Sequence, residues 1–236
     1  MHKLAFVALI GLTGSAAFIG AAAAIGGKNF TIGMDMDRPS CEVVPGATAT
    51  SRDLDWDGSD HVTLAVGGHA SWTPGSSNKV HVSGAPQVLA HIQIRDGNIM
   101  MDCNGWHRDT GNLTIVLPGR TFQKFAIAGH GDLALQKLDQ PVVKVSIAGS
   151  GTIKADGKVE QAEVHIDGSG TIDTGKVASQ VSTVHINGSG DTDIAPSEEA
   201  DIHINGSGDV NLHTDPKQLE THINGSGRIH HMAAGG

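Results

Sequence analysis

The chain has 236 residues, with 16 Lys and Arg against 25 Asp and Glu, a formal charge of −9, no tyrosine and 3% aromatic residues. An acidic chain without a basic run or interleaved aromatics lacks the electrostatic footprint of a nucleic-acid binder, and it suits an anionic membrane surface no better. Two cysteines are too few for a thiolate metal cluster and leave one possible bridge.

Met1-His-Lys3 is a short basic start, and no residue from Leu4 to Gly27 is charged. Leu4 to Leu12 has the length of a signal h-region, and Ala21 to Ala24 offers two overlapping Ala-x-Ala sites. Residues 1–24 therefore read as a secretory signal peptide cleaved near Ala23 or Ala24. An uncleaved anchor is the alternative, because such a stretch could span a bilayer. Its Gly, Ser and Thr content and alanine-rich end argue against that. The absence of a cysteine at the cleavage site leaves the lipoprotein route unsupported. Cleavage removes one lysine and no acid, so the charge becomes 15 − 25 = −10. What remains has the size of a single all-β domain. Residues 25–40 lack periodicity and read as a flexible lead.

In an exported chain Cys41 and Cys103 are most simply a disulfide; two free thiols are the alternative. A bridge there would staple the start of the domain, residues 41–230, to its first rungs. In the chain-entropy model it contributes about 4 kcal/mol. From 41 to 120 strand-like alternation persists in His61–Val66, Lys79–Val82, Leu89–Ile94 and Leu113–Leu117, punctuated by Gly67-Gly68, Pro74-Gly75, Asp96-Gly97 and Pro118-Gly119. Trp56, Trp72 and Trp106 all fall here. This irregular stretch is expected to cap a repeat array, whose first unit would otherwise expose an apolar edge.

The array itself fills residues 121–230. Phe125-Ala-Ile-Ala-Gly-His-Gly131 returns as Val145-Ser-Ile-Ala-Gly-Ser-Gly151 and Val164-His-Ile-Asp-Gly-Ser-Gly170. It returns again as Val184-His-Ile-Asn-Gly-Ser-Gly190, Ile202-His-Ile-Asn-Gly-Ser-Gly208 and Thr221-His-Ile-Asn-Gly-Ser-Gly227. The first glycines (129, 149, 168, 188, 206, 225) step by 20, 19, 20, 18 and 19 residues, a solenoid period. Within each phrase apolar, largely β-branched residues alternate with small or polar ones, the pattern of a half-buried strand. A second inward position follows the corner at Leu133, Ile153, Ile172, Thr192, Val210 and Ile229. One such unit buries too little to fold alone, and stacking identical units as a parallel β-helix removes the difficulty. Asn-Gly between strands is also a hairpin signal, so an antiparallel barrel or meander is the rival. Two features favour the solenoid: the corner is Gly-Ser-Gly, not a bare two-residue turn, and like residues recur in phase, as in-register asparagine ladders require. The expectation is one parallel strand per phrase, with Ile147, Ile166, Ile186, Ile204 and Ile223 stacked inside. Residues 231–236 read as a frayed tail.

The phrase Val-x-Ile-x-Gly-Ser-Gly-Asp, at this period and after a signal peptide, resembles the head GIN domain family of auto-transporter adhesin-like proteins. Leu54-Asp-Trp56 with Gly58-Ser-Asp60, the Pro74-Gly75 break, Val80-His-Val-Ser-Gly84, Asp96-Gly97 and Leu113-Thr-Ile fall in the order such domains show. The resemblance covers roughly residues 48–230. It implies a right-handed parallel β-helix on a bacterial cell envelope, in the periplasm or at the surface, and brings no catalytic residue or cofactor with it. Gly-His-Gly at 129–131 and the recurrent histidine depart from the family pattern.

That histidine is the most distinctive chemical feature. If the isoleucines point inward, His165, His185, His203 and His222 form an outward row, with Asp167, Asn187, Asn205 and Asn224 beside it. Neighbouring imidazoles at strand spacing could share zinc, copper or nickel, with Asp167 adding an oxygen. The plainer reading is a solvated face, since a flat ladder lacks the convergence and supporting shell of a metal site. Asp53-Leu-Asp55-Trp-Asp57-Gly58 imitates the opening of an EF-hand loop, but Leu64 stands where a bidentate glutamate should be. Asp191, Asp193 and Asp209 could pair for glycan hydrolysis across two rungs, although no basic residue or sugar-stacking aromatic joins them. The leading expectation is a non-enzymatic, adhesin-like envelope module that presents a flat β-helix face, either to bind a protein or glycan or to pack structurally in the cell envelope. A metal-interacting β-helix is second and a glycan-acting enzyme third.

Overall fold

The computed structural model of the chain describes residues 39–104 and 112–232. The expected signal peptide, most of the lead, Trp106 and Ala233–Gly236 lie outside the described residues. The glycine phrases end strands that stack in parallel: β8 (Lys124–Gly129), β9 (Asp132–Gly149), β10 (Thr152–Gly168), β11 (Thr171–Gly188), β13 (Pro196–Gly206) and β15 (Gln218–Gly225). The shorter β12 (Asp191–Ile194), β14 (Asp209–Leu212) and β16 (Arg228–His231) follow the later corners. Registers hold like against like: Ile147, Ile166, Ile186, Ile204 and Ile223 are successive Cα partners, as are the four ladder histidines. The protein is an all-β solenoid of about 6 turns with ~19-residue rungs, and the antiparallel alternative does not hold for the phrase strands.

Phe125, Val145, Val164, Val184 and Ile202 are buried in one column, and Ile127, Ile147, Ile166, Ile186 and Ile204 in the next. Thr192 breaks the column after the corner at no polar cost, because its hydroxyl donates to the Ile172 carbonyl at 2.7 Å. The Gly-Ser-Gly corner has two separate requirements. Gly206, the first glycine of its phrase, adopts φ +139°, which favours a residue without Cβ. Gly208, the second, is buried, and a Cβ there would meet Ile186 Cγ2 at 2.9 Å and the Gly190 carbonyl closer still. The serine between them, Ser207, faces solvent.

The N-terminal end is not a simple succession of rungs. β2 (His61–Leu64) and β3 (His69–Trp72) pair in parallel with β8 and β9, in rung phase, so residues 61–72 lie directly beneath residues 124–135. The chain between them builds the layers further out. β6 (Asn98–Met101) and β7 (Thr114–Val116) run parallel beneath β2 and β3. β5 (Ile92–Arg95) and β4 (Lys79–Ser83) then pair antiparallel to β6 and β7, and β1 (Ser51–Asp55) antiparallel to β4. The expected strand Leu89–Ile94 is therefore split: Pro86 opens a short helix, α1 (Pro86–Ala90), that buries Val88 and Leu89, and β5 begins only at Ile92. Proline at a first helical position fixes a helical φ at a residue whose N–H would be unsatisfied anyway. Trp56 meets Phe122 and Trp72 meets Phe125 edge-on in the interior of this end, each with centroids 5.3 Å apart. Cys41 and Cys103 are bridged, with Cα atoms 4.9 Å apart, beside the parallel bridge Ser40–Asn104.

One expectation about the interior fails at the other end. Ile223 is 44% exposed, whereas Ile204, one rung earlier in the same column, is 1% exposed. Burial in a solenoid comes from the next rung, and among the described residues no rung follows β15.

Candidate functional site

The outward face of the phrase strands carries three rows. Five residues before the first glycine, the Cα partners run Lys124, Lys144, Glu163, Thr183, Asp201 and Glu220. Three before it they run Ala126, Ser146, His165, His185, His203 and His222, and one before it Ala128, Ala148, Asp167, Asn187, Asn205 and Asn224. The structure thus brings all four ladder histidines and Asp167 onto one face. The rings of His185 and His203 stack with centroids 4.9 Å apart and planes 8° apart, and those of His203 and His222 at 4.8 Å and 19°. His165 is tilted away from His185, at 6.1 Å and 35°.

His165 and His222 each hydrogen-bond to an acid two positions along their own strand, and His203 lies beside one at ion-pair distance without hydrogen-bond geometry. Nε2 of His165 lies 3.0 Å from Asp167, that of His203 3.0 Å from Asp201, and that of His222 2.9 Å from Glu220. Residues i and i+2 share a strand face, so these acids were findable in the sequence, yet Asp201 and Glu220 were not singled out there. Asp167 is fully engaged: its second oxygen accepts from the Asn187 amide at 2.9 Å, and the Asn187 oxygen accepts from the Asn205 amide at 3.2 Å. His185 forms no ion pair among the described residues. Burial, and then the neighbouring His203 and His165, hold its imidazole below the ordinary histidine range, which keeps it neutral at pH 7.

The other candidates disperse. Asp53 contacts His81 Nδ1 at 2.6 Å and Asp55 lies 3.7 Å from Lys79 Nζ, while Asp57 turns the other way to accept from the Gly97 and Ser59 amides. The EF-hand-like acids therefore do not converge. Asp191 accepts from the Asp209 amide at 2.9 Å, and Asp209 from the Arg228 amide at 3.0 Å and its guanidinium at 3.1 Å. Asp193 lies 2.7 Å from His213 Nε2. All three carboxylates thus hold corner backbone or a neighbouring side chain, the ordinary turn role of aspartate. His91, Asp102 and Cys103 bring ligand atoms within 4.8 Å of one another, a grouping the sequence analysis missed. Its sulfur belongs to the bridge with Cys41, and His91 faces Asp102 at 2.8 Å and the Glu42 carbonyl at 2.9 Å.

Residues 60–216 match the family described as "Putative auto-transporter adhesin, head GIN domain". The chain belongs to this family. Among solved structures the GIN-domain chain is similar to a putative adhesin from Bacteroides fragilis, at 18% identity and TM-score 0.63, over 77% of this chain and 96% of that one. It is also similar to a putative lipid binding protein from Parabacteroides distasonis (14%, TM-score 0.48, 76% and 95%) and a putative adhesin from Parabacteroides merdae (13%, 0.40, 77% and 95%). The first of these shows the shared fold; the other two are too distant to carry an argument. No curated protein matches the chain. Among the described residues no helix is long and apolar enough to cross a membrane.

Proposed function

We propose that this GIN-domain protein is a non-enzymatic binding module of the bacterial envelope, in the periplasm or at the cell surface, whose outward His/Asn face contacts an envelope or extracellular ligand, protein or glycan. The observation that carries the reading is the stack of His185, His203 and His222 beside the hydrogen-bonded amide row. It is a rigid polar surface whose side chains are already ordered, which lowers the entropic cost of binding. Engagement of Asp191, Asp193 and Asp209 in corner contacts supports a module without turnover. The test is retention of the labelled, purified chain on intact envelopes and on arrayed glycans. His185→Lys with Asn205→Lys should abolish retention, and Lys176→Gln, on another part of the rung, should leave it unchanged. Equal retention by the face variant, or glycan turnover by the wild type, would overturn the proposal.

Four imidazoles in register also favour a second reading, a divalent metal held on the row. An ion accepts nitrogen lone pairs in the ring plane, so the nearly parallel rings of His185 and His203 would have to turn toward a shared ion. The discriminating measurement is thermal unfolding with zinc at about pH 7.5, because at lower pH protons compete with the metal for imidazole nitrogen. The binding-module reading expects no shift. A rise lost near pH 5 and absent from His185→Ala/His203→Ala would establish the metal.

A further inference from the structure

The two ends of the solenoid are finished differently. At the head, the edge strand β1 carries Arg52, Asp53 and Asp55, and α1 lies beneath it. Arg52 donates to the Leu89 and Ile92 carbonyls at 3.2 and 3.4 Å. Charged side chains on an edge strand discourage addition of a further strand. At the tail, β15 pairs only with β13 and β16 only with β14 among the described residues. Leu219 and Ile223 of β15 are 41% and 44% exposed, although Ala200 and Ile204, one rung earlier in the same columns, are fully buried. The tail therefore presents an eight-residue strand edge with its inward side chains bare.

The sequence of that strand names its cover. Read backwards about Thr221, Gln218-Leu-Glu-Thr-His-Ile-Asn224 is complementary to itself. Antiparallel pairing of two copies with Thr221 opposite Thr221 sets Leu219 against Ile223, Glu220 against His222, and Gln218 against Asn224. Apolar, ionic and amide pairs all match, and opposed pairs of these kinds stabilise a sheet. Slipping by one residue sets inward side chains opposite outward ones. Slipping by two places either sets Glu220 opposite Glu220, where like charges oppose, or sets Leu219 opposite Gly225 and loses its apolar pair. The charged head offers no equivalent match.

We infer that the tail rung is a homodimer interface, in which β15 of two copies pair antiparallel about a two-fold axis through Thr221. This interface is isologous and closes at two chains. Both heads then point away from the junction, and the outward histidine face continues across it as one surface of twice the length. A ligand with repeated epitopes would engage both halves with the gain of bivalency.

The test is sedimentation velocity on the purified full chain over a wide concentration range, with three variants. The wild type should pass from monomer to dimer and stop there. Leu219→Lys with Ile223→Lys should remain monomeric with an unchanged β spectrum. Thr221→Cys should cross-link to itself on mild oxidation, because directly opposed residues lie at about 4.5–5.5 Å between Cα atoms, within disulfide reach. Gln218→Cys, far from its own symmetry mate, should not. A wild type that stays monomeric overturns the inference, as would occur if another segment of the same chain covered the rung. Species larger than a dimer, a lysine variant that still dimerises, or equal cross-linking at 218 and 221 also overturn it.

Discussion

Ile186→Ala tests whether the isoleucine column holds the solenoid together. Ile186 is 1% exposed, with Ile166 and Ile204 as register partners and Gly208 packed against its Cγ2. The substitution removes three carbons at about 0.8 kcal/mol each, roughly 2.4 kcal/mol of transfer energy. The backbone on both sides is fixed in hydrogen-bonded rungs, so the gap cannot collapse and a cavity term adds to the loss. The total should be about 3–4 kcal/mol, within the range of large-to-small core changes. For a chain of this size that lowers the melting temperature by about 6–16 °C. Urea titration measures it, provided the m-value is unchanged; a smaller m would mean that rungs unfold in separate groups. Ile186→Val removes one carbon and keeps the β-branch, so about 0.5–1.5 kcal/mol is expected. Equal losses for the two variants would refute the argument, because they would show that the space at Ile186 closes without cost.

Gly208→Ala forces a Cβ against Ile186 and the Gly190 carbonyl and should cost about 1–3 kcal/mol by overpacking, whereas the neighbouring Ser207→Ala should be silent in the same titration. Cys41→Ser with Cys103→Ser should lose about 4 kcal/mol on the chain-entropy model, and reductant should lower the wild-type midpoint to match; no effect of reductant would refute the structural bridge. The His185 imidazole is held low by burial and then by His203 and His165, so the unfolded chain protonates first as pH falls through about 6.5 and the fold loses stability there. His185→Gln should therefore gain on the wild type in melting temperature as pH falls from about 7.5 to about 5.5. His91 works in the opposite sense: burial pulls it down, but the Glu42 carbonyl and Asp102 outweigh burial and raise it. Its contribution is complete below about pH 6.5 and fades as pH rises through the raised folded value, so the deficit of His91→Gln should shrink with rising pH.

The rungs from 124 onward were legible because parallel stacking in register places each residue against its counterpart, and the period, inward columns and outward row all follow from that. The N-terminal layers were not, since Leu64 finds its counterpart in Ile127 across an insertion that hides the period. Alternation alone could not separate Leu89-Ala90 from the strand after it, and Pro86 was the better signal for the turn of helix. Ile223 obeys the column pattern perfectly and is still exposed, because burial depends on the following rung and not on the residue itself. The histidine row was visible from phase, but its rigidity depends on acids that change sides, following the histidine at Asp167 and preceding it at Asp201 and Glu220.

The outward face itself divides into two unlike halves. Toward the head, the three rows carry Lys124 and Lys144 beside Ser146, Ala128 and Ala148, and Lys144 pairs with Glu163 at the border. Toward the tail, imidazole stacks on imidazole, acids hold the rings of His165 and His222 by hydrogen bonds, and amides bond from rung to rung. These groups have little freedom left to lose, so contacts made there retain more of their gross energy as affinity. The half from His165 to Asn224 is therefore where a specific contact would concentrate, and the lysine half where a long-range attraction for acidic groups would act first. The separation is measurable: charge reversal at Lys124 and Lys144 should slow association and reduce its salt dependence, while substitutions at His185 and Asn205 should speed dissociation.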